Sequence, residues 1–309
     1  FPTRRSSDLI FGIDFGSIAF VIKKRHLASY KGVYFRLHER TFQYIEPQDI
    51  AQLYMRAKEN HSYKYSFVDY TTDDGIVEQP VTPNSKQIYY EASQDNFSKI
   101  PGAPVAYWVS EAFLNAFANK TVENFFAAVV KGIFTGDNAR FLRLWHETND
   151  KDFCVKWQPY SKGGDFRRWY GNLEYVINWE NNGGDLRNFA GSGLGASKYF
   201  GKETIVWTKL TSYKAGFRNN PDYVYFDDAS PALIGQSGTR ELCFLALLNS
   251  IVMSHFLNFI SPTLNYQCGE IKKLPVASEC IADSHIAQLA ENNVGLSKAD
   301  WDAYETSWD

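Results

Sequence analysis

Between Ala127 and Leu233 one pattern recurs: short runs of branched and aromatic residues, VVKGIF, YVINW, TIVWTKL and YVYF, broken by Gly and Asn clusters. Such runs are too short for helices, and their Val, Ile, Tyr and Trp favour the pleated backbone. The Gly and Asn clusters suit tight turns. A β-rich or mixed body with long loops is therefore predicted. Helical spacing returns from Arg240 to Ile260, where Leu245, Leu248, Val252, Phe256 and Phe259 form one stripe.

Upstream, Pro47 followed by QDIAQLYMRAKE predicts a helix start, with Ile50, Leu53 and Tyr54 at helical spacing and Ala57 one turn on. Ala106 to Ala118 reads as a second helix through Val109, Ala112, Phe113, Ala116 and Phe117. Ser17 to Ile22 and Val33 to Leu37 are short β-prone runs joined by a basic connector. The polar stretch His61 to Pro83, with DYTTDDG and two prolines near its end, predicts a domain boundary.

A hydrophobic share of 44% in 309 residues is globular, and a formal charge of −3 excludes a globally basic polyanion coat. Contact with nucleic acid then requires a local patch. The four cysteines form no C-x-x-C pair and the six histidines never recur four apart, so neither a metal site nor a disulfide framework is predicted. Reduced thiols and a cytoplasmic location are expected. Asn249, Ser250, Ser254, His255 and Asn258 interrupt the most apolar window, Leu242 to Ile260, which predicts a buried helix and no membrane span. Phe1 to Leu9 lacks the apolar core of a secretory signal and reads as a non-native leader.

The segment Lys156 to Asn172, KWQPYSKGGDFRRWYGN, sets Lys156, Lys162, Arg167 and Arg168 against Asp165 alone. Guanidinium groups clasp phosphates and flat rings stack on bases, so interleaving the two suits a nucleic-acid groove. The competing reading is a core edge in which aromatics are buried and cations snorkel beside them. TGDN at Thr135 to Asn138, with Arg140 and Arg143 beyond it, is either a structural turn or a DNA-facing loop. GSGLG at Gly191 to Gly195 lacks a clear strand before it and a clear helix after it, so it reads as a loop. NPDY at Asn220 to Tyr223 has Asp222 where an adenine-holding N-P-P-Y has its second proline, and reads as a turn.

Five segments together resemble the adenine-specific DNA methyltransferases of bacteriophage-exclusion (BREX) systems: KIPGAPVAYWVS (Lys99 to Ser110), KGIFTGDNARFLRLWHE (Lys131 to Glu147), KWQPYSKGGDFRRWYGNLEYVINWENNG (Lys156 to Gly183), LLNSIVMSHFLNFISPTLNYQCGEIKKLPV (Leu247 to Val276) and SKADWDAYETSWD (Ser297 to Asp309). The TGDN turn also resembles recognition domains of fused restriction and modification enzymes. The resemblance implies a mixed α/β chain: residues 10–60 as the end of a class I methyltransferase (Rossmann-like) sheet, 61–93 as a linker, 94–290 as an α+β target-recognition domain, and 291–309 as the start of a further region. It places the cofactor loop and N-P-P-Y before Ile10.

The complete enzyme would use S-adenosylmethionine, act on double-stranded DNA and work beside other BREX proteins. This segment would bind no cofactor or metal and hold no catalytic residue. For DNA contacts the expectation is Lys156, Lys162, Arg167 and Arg168 as donors, Trp169 and Tyr170 as packing or stacking partners, and Asn172 as an adenine reader. Gly163 and Gly164 would permit close backbone approach. Thr135, Asp137, Asn138 and Arg140 form a second loop. A carbohydrate-binding module, also rich in Trp and Tyr, and a protein-interaction scaffold are the rival readings.

Overall fold

A computed structural model describes residues 21–22, 30–38, 44–212, 214–237, 240–261, 264–305 and 307–308. The leader at 1–9 and most of the run from Ser17 lie outside the described residues. Contacts divide the chain into two units, Phe1–Leu114 and Asn115–Asp309.

In the first unit β1 (Lys31–Phe35) precedes α1 (Pro47–Glu59), β2 (Lys64–Tyr65), β3 (Lys86–Gln87) and β4 (Tyr89–Ser93). Proline fixes φ where a helix has no hydrogen-bonded N–H to lose, so α1 starts at Pro47 as predicted. It buries Leu53 and Ala57. β1 pairs antiparallel with β4, Phe35 opposite Tyr89, and β2 pairs with β3. The stretch 61–93, expected as a linker, supplies Tyr65, Phe67, Tyr70, Ile76, Ile88 and Tyr89 to the buried cluster under α1. These apolar residues are dispersed among polar ones, so average polarity hides them.

The helix expected over 106–118 shortens to α2 (Glu111–Ala116). The Ser110 hydroxyl accepts the Phe113 amide at 3.2 Å, which caps the helix one turn later than the apolar spacing suggests.

In the second unit β5 (Phe126–Val130), α3 (Asn138–Phe141), β6 (Leu142–Leu144), β7 (Trp157–Ser161), β8 (Tyr175–Asn178), α4 (Glu180–Asn188), β9 (Thr204–Trp207), β10 (Phe217–Asn220), β11 (Tyr225–Phe226) and β12 (Ala232–Gly235) lead into α5 (Glu241–Leu248), α6 (Ile251–Ile260), α7 (Cys268–Ile271) and α8 (Ser284–Asp302). The described strands form two four-stranded sheets, ordered β10-β9-β12-β5 and β11-β7-β8-β6. Side chains alternate across a strand, so Ala232, Ile234 and Val206 share one face. They pack with Phe226 of the other sheet. A second cluster joins Ile133, Phe141, Leu142, Tyr160, Ile177, Trp179 and Leu186. α4 opens on a left-handed turn through Asn181, Asn182 and Gly183, residue types that tolerate positive φ.

The apolar helix from Arg240 splits in two. Ser250 caps α6 through the Met253 amide at 3.1 Å, and the two axes differ by 69°. The Asn249 side chain accepts from the Phe217 amide at 3.0 Å and donates to the Phe217 carbonyl at 2.9 Å, fixing the break against β10. Among the described residues no single helix is long and apolar enough to cross a membrane.

Candidate nucleic-acid interface

The TGDN loop leaves β5 and turns at once into α3. Asp137 caps that helix through the Arg140 amide at 3.1 Å. The buried Thr135 hydroxyl donates to Asn138 Oδ1 at 2.6 Å, and Lys162 Nζ donates to the same oxygen at 3.3 Å. Lys162 also pairs with Asp227 Oδ2 at 3.0 Å. Three predicted residues, Thr135, Asn138 and Lys162, are thus joined in one polar network. Tyr160 completes it from below by donating to Asp227 Oδ2 at 2.7 Å. Burial, and then the Asp227 charge, pushes the Tyr160 hydroxyl well above its ordinary value, so it remains a neutral donor.

The same loop is clamped to GSGLG. Phe134 and Gly193 exchange backbone hydrogen bonds at 2.9 and 2.7 Å. At Gly136 (φ +72°) a Cβ would lie 2.4 Å from the Gly191 carbonyl oxygen, which only glycine permits. The exposed Arg140 lies over the rings of Phe141 and Phe189, at 5.0 and 5.4 Å from their centres.

Within 156–172 the four cations have different surroundings. Lys156 pairs with Glu180 at 3.0 Å, both half open to solvent. Arg167 is held by Asp300, by the Tyr170 carbonyl at 3.2 Å and by the Trp301 ring at 5.1 Å. Arg168 lies over Phe166 at 5.4 Å, and its Nε is buried with no partner among the described residues. Trp169 adopts φ +73° and inserts its backbone into the edge of β10 through the Phe217 carbonyl and the Asn219 amide. Tyr170 packs with Leu173, Val224 and Trp301, so it is a packing residue with its ring buried. The Asn172 amide donates to the Asp165 carbonyl at 2.8 Å and closes its own loop. A Cβ at Gly163 would lie 3.0 Å from the Ala229 carbonyl oxygen, and one at Gly164 the same distance from the Asn172 amide. The chain's own loops already account for both glycines.

Arg218, beside Trp169, is absent from the sequence-based candidates. It is 1% exposed, donates to Thr208 Oγ1 at 3.3 Å, and leaves Nε and Nη2 unpartnered among the described residues. Burial, and then the nearby Arg167 charge, lowers it to about 10. Its position in the run FRNN, between Phe217 and two asparagines, offered no signal that the side chain is buried.

No protein-family model matches the chain. Curated proteins do match. The adenine-specific methyltransferase PglX of Lacticaseibacillus casei (strain Zhang) is 31% identical over 312 residues, 94% of this chain and 23% of that protein. The adenine-specific methyltransferase BrxX of Escherichia coli O9:H4 (strain HS) is 33% identical over 284 residues, 88% of this chain and 23% of that protein. The chain is homologous to a segment of PglX-like proteins. It spans about a quarter of the length of these relatives.

Neither GSGLG nor NPDY has the surroundings that hold S-adenosylmethionine or an extruded adenine. GSGLG follows α4 and runs into a turn at Ser197–Tyr199, so the strand–loop–helix that cradles a dinucleotide-like ligand is missing there. In NPDY the Asn220 side chain is buried and donates to the Val224 carbonyl at 2.8 Å. No group of three or more His, Cys, Asp or Glu among the described residues is placed to hold a metal ion.

Proposed function

We propose that this PglX-like segment is the DNA target-recognition portion of an adenine-specific methyltransferase of a BREX phage-defence system. Its partner is double-stranded DNA in the cytoplasm. The complete enzyme takes a methyl group from S-adenosylmethionine to the exocyclic N6 of adenine, and other BREX proteins are its expected partners. Methyl transfer requires the base to leave the stack. That pocket belongs to other parts of the enzyme, and this segment selects where it acts.

The observation that carries the reading is the joining of the aromatic-basic segment to the TGDN loop, beside the exposed Arg140. Lys162, from a segment with four cations and one acid, reaches Asn138 in the TGDN loop, which carries Arg140 on α3. Similarity to two adenine-specific methyltransferases makes DNA the polyanion to test first.

Binding of the chain to random and to affinity-selected duplexes, titrated from 50 to 200 mM salt, tests it. Micromolar or tighter affinity that falls with salt and prefers the selected duplex is expected. Affinity that is absent at 50 mM salt, or indifferent to salt and sequence, would reject DNA recognition.

A further inference from the structure

Phe134 is 58% exposed although its neighbours Ile133 and Thr135 are buried. Its backbone is rigid, held by Gly193 on one side, while the adjoining Ile133 bonds to the carbonyl of Phe226 at 2.9 Å and the amide of Asp228 at 2.8 Å. An aromatic ring left in water forgoes the free energy that its burial would give. A fixed strand end therefore presents this ring to solvent at a cost.

The rim beside it is made of glycine. At Gly195 an added Cβ would meet nothing within 4 Å, and at Gly193 it would meet only the Phe134 Cβ at 3.8 Å. Neither residue has a positive φ. Neither packing nor backbone conformation within the chain calls for glycine at these two positions.

The flanking charges say what kind of surface. Residues 131–143 carry Lys131, Arg140 and Arg143 against Asp137, and residues 185–203 carry Arg187, Lys198 and Lys202 against Asp185 and Glu203. The two loops that pair at Phe134 and Gly193 thus carry a surplus of cations, with Arg140 exposed over the Phe189 ring, and this charge together with an exposed ring suits a phosphate backbone with base edges between its strands.

We infer that Phe134 and the Gly193–Gly195 rim are a further, uncharged DNA contact, in which the ring packs against a base edge and the glycine backbone lies close to the duplex. The inference rests on the DNA-recognition function proposed above and adds a reading element outside the arginine-rich segment. An apolar contact to a base edge affects discrimination, whereas it releases no counterions.

The test uses the full chain with Phe134→Ala, Phe134→Leu and Gly195→Val, each checked for an unchanged melting temperature. Gly195→Val fills open space and keeps the falsification available if a Phe134 variant unfolds. Phe134→Ala should lower the preference for the selected over a scrambled duplex about tenfold, with an unchanged salt slope, and Phe134→Leu should restore part of it. Gly195→Val should weaken binding to both duplexes. If wild type binds DNA and all three variants match it in affinity and preference, the inference is wrong and the recognition function stands. If wild type itself fails to bind DNA, both fall together.

Discussion

Lys162 Nζ lies 3.0 Å from Asp227 Oδ2, the same oxygen that accepts the Tyr160 hydroxyl at 2.7 Å. Asp227 is 5% exposed, so removing its lysine leaves a carboxylate in low dielectric with fewer partners. The lysine itself keeps a path to solvent, with a quarter of its side chain exposed. Lys162→Met should therefore cost about 2 kcal/mol, less than the roughly 3–5 kcal/mol of a fully enclosed pair. Chemical denaturation measures this directly, and a variant as stable as wild type would show that the pair contributes nothing.

Arg167 and Arg168 are adjacent but are expected to behave differently. Arg167 is fastened to Asp300, the Tyr170 carbonyl and the Trp301 ring, whereas Arg168 rests on the partly exposed ring of Phe166. Four freely available cations in 156–172 would give a salt slope of about −3.6, at roughly −0.9 per phosphate. With Arg167 engaged internally, Arg168→Ala should flatten the measured slope by about 0.9 and leave the melting temperature near wild type. Arg167→Ala should instead lower stability by about 1–2 kcal/mol with little change in slope. The reverse pattern would assign Arg167 to the phosphate backbone.

The sequence made α1 legible because proline, helical spacing and a polar opposite face all agree over Pro47–Glu59. It showed that Leu245, Leu248 and Phe256 are buried along α5 and α6, but not that Val252 stays exposed or that the helix breaks, which depends on Asn249 meeting Phe217 across 32 residues. The engagement of the cations was hidden for the same reason. Lys162 meets Asp227 from 65 residues away and Arg167 meets Asp300 from 133. Residue types announce that a segment is basic and aromatic, while the partners that neutralise its charges are fixed only by the fold. Gly163 and Gly164 illustrate the point, since glycine was evident and the neighbours requiring it were not.

Gly136→Ala tests the clamp between the TGDN and GSGLG loops. Its φ of +72° costs an L-residue roughly 1–2 kcal/mol, and its Cβ would also press into the Gly191 carbonyl at 2.4 Å. Gly201 provides the control, with φ +77° and open space around its Cβ position. Gly201→Ala should cost about 1 kcal/mol, Gly136→Ala at least about 2 kcal/mol together with weakened DNA binding. Equal losses in the two variants would show that the loops are not clamped at Gly136.

Calorimetry of the chain with S-adenosylmethionine should show no micromolar binding. The Gly191–Gly195 loop lacks a strand before it, and the Asn220 side chain is enclosed. Stoichiometric heat at micromolar cofactor would place a binding site in this segment and contradict the reading of its loops.

Tyr160 gives the chain an alkaline limit. Burial and the Asp227 charge push its hydroxyl well above the ordinary value near 10, so the folded state retains a proton that the unfolded chain has released. Its contribution is complete below about pH 10 and declines as pH rises toward the folded value, by about 1.4 kcal/mol per pH unit. Tyr65, pushed up to about 12 mainly by burial, has the same sign in the first unit. Tyr160→Phe should cost about 1–2 kcal/mol at pH 7, because Asp227 and the Ile133 carbonyl lose a donor. From pH 10 to 11 the gap to wild type should narrow by about 1 kcal/mol, because the unfolded tyrosine is only half ionised at pH 10 and phenylalanine has no proton to lose. Urea denaturation of the second unit's transition at pH 7, 9, 10 and 11 reads both effects. A gap that stays constant across that range would mean that Tyr160 ionises alike in the folded and unfolded chain.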